Sequence, residues 1–269
     1  MTIQEIMDAW SARSINTEAE LARWNGKAAH FGSSKLPTAE TSMAMRLIEQ
    51  EAMVKPGDCV LDVGCGGGQF SFALEQLGAR AVGVDFSPNM VEECERNRLA
   101  RDSSARFLVC DWSAANMAEM GWEKGFDLVL AHMTPAVASA ETFMKLSEAS
   151  RGWCLMVKPT RRTNSVLDVL NAMVGAPKET AALNDTVAYA FDLLWLSGMK
   201  PKMDYEEQVW KIVQPLPDAV REYTARIRST HTLTKVQSAA ISDYLEGIAV
   251  DGMVQETTHT LVAAMYWQV

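Results

Sequence analysis

Residues 60–69 read Val-Leu-Asp-Val-Gly-Cys-Gly-Gly-Gly-Gln, a short apolar run that breaks into glycines. Glycines at such a turn allow positive φ and let backbone amides approach a ligand closely. A G-x-G-x-x-G dinucleotide fingerprint would need its third glycine at position 69, which is Gln69. Asp62, two residues before Gly64, would repel a pyrophosphate and attract a cation. The turn therefore suits a positively charged ligand without phosphate.

Two further acids fall at expected strand ends. Asp85 closes the run 81–84 and is placed to accept both hydroxyls of a ribose. Asp111 follows the run 106–110 and precedes Trp112, which pairs an acceptor with a flat indole and suits a base with an exocyclic amine. An acid for an ammonium, one for a ribose and one for an adenine describe an adenosyl amino acid. Trp112 as plain core is the competing reading. Cys65 reads as a small side chain within the turn rather than a reactive thiol.

The elements that must position these residues follow from periodicity. Apolar runs at 59–63, 81–84, 106–110, 126–131 and 152–158 alternate with amphipathic segments. This is the pattern of βαβ units with a parallel sheet covered on both faces. Right-handed crossovers make it doubly wound. Before the first strand, Ile3, Ile6, Met7 and Trp10 share a helical face over residues 2–12. Polar pieces around Asn25-Gly26 and Gly32-Ser33-Ser34 look like a mobile approach. Thr38 opens a helix carrying Ala44, Leu47, Ile48 and Ala52 on one side. Within the core, Phe70, Ala73, Leu74 and Leu77 point inward from the helix after the glycines, with Gly78 as its stop. Ser87 and Pro88 suit the N-cap and first position of the next helix, which turns Met90, Val91 and Cys94 inward. Beyond residue 160 we expect helices near 165–175, 179–198, 217–229 and 234–248, and strands near 203–213 and 254–268.

At its motifs the sequence resembles the class I S-adenosylmethionine-dependent methyltransferase family. VLDVGCGGG is similar to the family's glycine motif, VDFSPNM to its ribose motif, CDW to its adenine motif and FDLVLA to its fourth strand. The resemblance covers about residues 56–160. It implies an α/β fold: a doubly wound, mostly parallel seven-stranded sheet with one antiparallel strand and helical additions. It also implies S-adenosylmethionine as cofactor, with S-adenosylhomocysteine as product. By position, Asp62 and the backbone of Gly64, Cys65, Gly66 and Gly68 would hold the methionine end. Asp85 would hold the ribose, Phe86 and Met90 would lie against the adenosine, and Asp111 and Trp112 would hold the adenine. Ala131 closes the fourth-strand motif on the cofactor. His132 follows it, where such a fold faces the methyl group, and is the candidate base; a structural histidine is the competing reading. The Asn/Asp-Pro-Pro-aromatic signature of amino-group methylases of nucleic acids and proteins is missing here.

Outside the motifs, Lys158, Arg161 and Arg162 follow the fifth strand as a clamp for a carboxylate or phosphate, or as a solvated loop. Trp24, His30 and Phe31 could close over the cofactor or simply pack. Tyr205, Trp210 and Tyr266 read as core. The expected organisation is a helical lid over 1–37, a cofactor-binding core over 38–160, and a C-terminal half over 161–269 that adds substrate-pocket helices and two strands.

Composition bounds the partners. The 269 residues carry 25 basic and 34 acidic side chains, a net charge of −9, which disfavours a phosphate-backbone partner. No apolar stretch is long enough to span a membrane. The first ten residues do not read as a signal peptide. Five scattered cysteines without a CxxC pair point to a reduced, cytoplasmic protein without a metal site. The expectation is methyl transfer to a small-molecule acceptor. A cofactor-binding regulatory module without turnover and an NAD-dependent oxidoreductase are the alternatives; the acceptor and the oligomeric state are not legible.

Overall fold

Five parallel strands form because their apolar residues face both ways and need cover on both sides. The computed structural model describes residues 1–11, 17–176 and 179–269, with side chains omitted for 179–184. Three short helices, α1 (Ile3–Ala9), α2 (Thr17–Asn25) and α3 (Ala28–Gly32), precede α4 (Met43–Gln50). The alternating core is β1 (Cys59–Val63), α5 (Gln69–Gln76), β2 (Arg80–Asp85), α6 (Pro88–Arg101), β3 (Arg106–Val109), β4 (Phe126–His132), α7 (Ala140–Ala149) and β5 (Ser150–Asn164). Then come α8 (Leu167–Val174), α9 (Glu179–Leu196), β6 (Lys202–Pro215), α10 (Leu216–Arg228), α11 (Lys235–Ile248) and β7 (Met253–Gln268).

The sheet order is β3-β2-β1-β4-β5-β7-β6. Pairings from β3 through to β5 are parallel. β7 runs antiparallel to both β5 and β6, so it is the one reversed strand. Strand order reverses between β1 and β4, and ligands bind beside that point in open α/β sheets.

Alternation along the strands divides the core. Val60, Leu128, Leu130, Leu155 and Val157 pack with Leu47, Ile48, Phe72 and Leu74 on one face. Leu61, Val63, Val129, Ala131 and Met156 pack with Ile6, Phe143, Leu193 and Trp267 on the other. A third cluster joins Leu167, Leu170, Tyr223, Ile227 and Ile241, so α8, α10 and α11 form a satellite beside the sheet.

Several expected boundaries shift for identifiable reasons. The helix expected from Thr38 starts after Ser42, whose hydroxyl caps the Met45 amide at 3.5 Å. Thr38 instead closes a polar turn, accepting at its carbonyl from the Ser42 amide at 2.9 Å. Ala52 lies beyond that helix with φ 48°. The expected helix over 2–12 ends at Ala9, and residue 12 falls outside the described residues. The approach expected to be mobile forms α2 and α3. In α5 the buried set is Ser71, Phe72, Ala73 and Leu74, with Phe70 and Leu77 half-buried. β5 runs to Asn164 because β7 continues to pair with it, so Lys158, Arg161 and Arg162 lie within the strand rather than after it. β3 stops at Val109, and Asp111 stands just past its end.

Candidate functional site

The strand tips of β1, β2 and β4, with the loops that follow them, open into a cavity of about 1180 Å³. Its floor is the glycine turn, its roof α2 and α3, and its far wall the C-terminal half. Asp62, Gly64, Cys65, Gly66, Asp85, Phe86, Met90, Asp111, Trp112 and His132 all line it. Gly68 and Ala131 do not. Gly68 caps α5 with φ 82°, and Ala131 is fully buried within the sheet.

The turn is built by contacts that require its glycines. The amides of Gly64 and Cys65 both donate to the Val84 carbonyl, at 2.8 and 2.9 Å. Gly64 has φ 69°, and a Cβ there would fall 1.9 Å from Thr134 Oγ1. Gly66 has φ 54°, and a Cβ on it would meet only a Phe31 carbon at 3.9 Å. Space for a ligand therefore lies over Gly66.

Asp62 is 2 % exposed, and its Oδ2 accepts from Ser71 Oγ at 2.8 Å. Burial pushes its pKa up to about 7, against the lowering effect of Ser71 and with a smaller push from Asp85. Asp85 accepts from the Gly66 amide at 3.0 Å and from the Ser87 amide at 2.9 Å. Burial raises its pKa in spite of those donors. Two buried carboxyls held above their ordinary range, with no cation of the described residues beside them, are an acceptor set that fits an ammonium or sulfonium. Asp111 Oδ1 accepts from the Ser113 amide and hydroxyl at 2.9 and 2.7 Å. Trp112 is both buried and at the cavity wall. It is 2 % exposed and donates from Nε1 to the Thr142 carbonyl at 2.8 Å, while part of its ring lines the cavity.

His132 lies against Phe70, with ring centroids 4.1 Å apart. Burial pulls its pKa down to about 4, so the ring is neutral near pH 7. Cys65 and Cys94 sit at the turn, where the interaction between the two thiols and burial push the Cys65 thiol well up. That leaves it protonated and poorly nucleophilic.

The pattern gives no site role to Gln69 or Thr134, and gives Lys158 either a clamp or a solvated loop. Gln69, noted only as a departure from a dinucleotide motif, donates from Nε2 to the Phe31 carbonyl and ties the roof to the turn. Thr134 fills the space over Gly64. Lys158 is 7 % exposed and lines the cavity. Gln69 was flagged by its position, whereas the other two act through contacts distant in sequence. Tyr266 and Trp210, expected as core, divide: Tyr266 is buried, and Trp210 lines the cavity half-buried.

Residues 54–185 match a methyltransferase domain family. A ribosomal protein L11 methyltransferase from Thermus thermophilus is 30% identical over 164 residues, covering 60% of this chain and 61% of that protein. The protein of the same name from Cupriavidus necator is 36% identical over 104 residues, 38% of this chain and 31% of its own length. The chain thus spans less than two thirds of these curated relatives. Phosphoethanolamine N-methyltransferase 2 from Haemonchus contortus, solved with phosphomonomethylethanolamine and S-adenosylhomocysteine, has a TM-score of 0.51 at 16% identity, covering 100% of this chain and 60% of that one. That likeness is one of fold. The chain thus carries a methyltransferase domain over residues 54–185, and its sheet has the fold of the class I S-adenosylmethionine-dependent methyltransferases.

Proposed function

We propose that the protein transfers a methyl group from S-adenosylmethionine to a small-molecule acceptor. The observation that carries this reading is the cavity of about 1180 Å³. Small-molecule pockets run about 300–1,000 Å³, so this one has room for an acceptor beside the cofactor. It is roofed by α2 and α3 and walled by α9 and β6, a concave setting that suits a small molecule.

The cofactor, when bound, supplies a methyl group already activated on a positively charged sulfur. Asp62 and the turn amides would hold its methionine end. Asp85 would hold the ribose, with Phe86 and Met90 against the adenosine and Asp111 and Trp112 at the adenine. Ala131 and Gly68 would act from behind, as sheet backbone and helix cap. Orienting two reactants in one cavity contributes about 7–11 kcal/mol through effective molarity, so alignment is the main task of the chain. His132, neutral near pH 7, would accept a hydrogen bond from an N–H or O–H on the acceptor and take its proton where the acceptor carries one. Residues 1–37 would act as the lid, and 161–269 would shape the acceptor end. Asp62 and Gln69 stand against a dinucleotide at the same turn. Among the described residues no helix is long and apolar enough to cross a membrane. The cysteines are free, in keeping with a reducing cytoplasm.

A ribosomal-protein acceptor, as in the names of the curated relatives, is the second reading; the shared segment in them is mainly the cofactor half. The test is to incubate the full chain with methyl-labelled S-adenosylmethionine and a cell extract divided into small-molecule and ribosomal fractions. Label in the small-molecule fraction supports the proposal. Label confined to ribosomal protein would replace the acceptor class. Cofactor binding without transfer to either fraction would leave a regulatory module.

A further inference from the structure

The charges along the cavity rim are sorted by strand. The acids Asp62, Asp85 and Asp111 stand at or just past the tips of β1, β2 and β3, on one side of β4. On the other side, β5 brings two cations to the same cavity, Lys158 and Arg162. Lys158 follows Val157, the register partner of His132, so the cations begin one residue beyond the histidine. The sulfonium and ammonium of the cofactor would face the acids and its carboxylate the turn amides, so none of its groups needs the cations of β5. These cations face the space left for the acceptor.

Lys158 differs from three ion-paired lysines among the described residues. Lys27, Lys145 and Lys202 meet carboxylates at 2.7, 3.3 and 2.6 Å. The Lys158 ammonium instead donates to two carbonyls of the loop after β4, Thr134 at 2.9 Å and Val137 at 2.8 Å. An ammonium has three N–H donors, so these carbonyls leave one. Burial lowers its pKa to about 8, and no carboxylate among the described residues pairs with it. A buried cation without a counter-ion is costly unless one arrives.

Arg162 is aimed by local backbone. The β5–β7 register slips between Thr160 and Thr163, and Arg161 within the slip has φ 43°. Irregularities of this kind re-aim a side chain at the edge of a site. The Arg162 guanidinium lies 5.0 Å over the Trp210 ring, whose Nε1 donates to Gln208 Oε1 at 2.9 Å. Stacking fixes the plane of a guanidinium, whose planar fork matches oxyanion geometry.

We propose that Lys158 and Arg162 receive an oxyanion of the methyl acceptor, a carboxylate or a phosphate, so that the acceptor class is anionic small molecules. The inference rests on the methyl-transfer reading for the word acceptor, but the anion site itself can be tested alone. Inorganic phosphate and acetate are titrated in separate calorimetric arms into the full chain, with and without S-adenosylhomocysteine. Saturable binding of either anion is expected, and the arm that responds names the group. Arg162→Gln and Lys158→Met should each weaken it about tenfold or more, the scale of a lost charge-assisted bond. S-adenosylhomocysteine affinity in the same variants should stay within about twofold, because neither side chain is placed at the cofactor end. Lys158 also braces the loop after β4, so a poorly folded Lys158→Met would leave Arg162→Gln as the deciding variant. No saturable binding of either anion, or unchanged affinity in Arg162→Gln, would overturn the proposal. Failure of the native chain to bind S-adenosylhomocysteine would instead remove the cofactor reading, with the anion arm still decisive for the pair.

Discussion

At the scale of single residues, Asp62 joins stability to ligand binding. Its folded pKa of about 7 lies above the ordinary 3.8, so the folded state binds the proton more tightly than the unfolded chain. The burial cost is therefore absent below about pH 4, grows as pH rises through the window from about 4 to about 7, and is complete above it. Its full size is on the order of 4 kcal/mol. In ligand-free protein, Asp62→Asn should melt higher than the native chain at pH 8, with the gap closing toward pH 5. Thermal denaturation showing no gap at pH 8 would contradict the buried-charge account. The same ionisation favours a bound cation, so calorimetric affinity for S-adenosylmethionine should rise from pH 6 to pH 8 in the native chain and be weak and flatter in Asp62→Asn. Asp85→Ala should weaken cofactor binding about tenfold or more, since it also releases the Gly66 and Ser87 amides; unchanged affinity would remove Asp85 from the site. The three acids were legible because strand ends in a parallel sheet point their side chains at one rim. Lys158 and Trp112 were not fully legible. β7, adjacent in the sheet but last in the chain, decides where β5 ends, and the Thr142 carbonyl that holds the indole belongs to α7.

At the scale of elements, the contact between α3 and the glycine turn isolates the roof from the core. Gly67 lacks the positive φ of Gly64, Gly66 and Gly68, so an alanine there meets no backbone penalty. Its Cβ would nevertheless stand 2.6 Å from the Phe31 carbonyl carbon and oxygen. Gly67→Ala should therefore displace α3 while leaving the strands intact. Limited proteolysis within residues 17–36 should speed up and cofactor affinity fall, with little change in the melting of the core. An unchanged digestion pattern would show that the roof does not depend on this contact. Gly64→Ala, by contrast, meets both a φ of 69° and Thr134 at 1.9 Å and should damage the fold. Elements with local signals were readable: α6 starts after Ser87 with Pro88 at its first turn, as the residue types require. α2 and α3 were not. α2 has no buried residue, α3 is five residues long, and both are held by partners on α6 rather than by their own pattern.

At the scale of the whole molecule, one carboxylate ties the two ends of the chain over the cavity. Glu222 in α10 meets Lys27 Nζ at 2.7 Å and Arg23 Nε at 3.8 Å, across a separation of 195 residues for the lysine. Elsewhere the roof is held by the Ser87 hydroxyl donating to Asn25 Oδ1 at 2.6 Å and by Asn97 donating to the Gly32 carbonyl at 2.9 Å. Partly exposed ion pairs contribute about 0.2–1 kcal/mol each. Losing this one should barely move global stability, yet it is of the size that changes how often a small roof segment opens. Burial raises the Glu222 pKa, but the Lys27 hydrogen bond and the charges of Lys27 and Arg23 outweigh it and leave it lowered. A lowered carboxyl pKa means the tie is present above the ordinary carboxylate range and is lost as pH falls through it. Glu222→Gln should therefore melt within about 1 kcal/mol of the native chain while amide exchange in α2 and α3 quickens and S-adenosylhomocysteine dissociates faster. High salt should bring the native chain toward the variant and leave the variant itself little changed, because screening acts on the same pair. Equal exchange rates in the two proteins at low salt would mean that the Asn25, Asn97 and Gln69 contacts keep the roof closed without this tie.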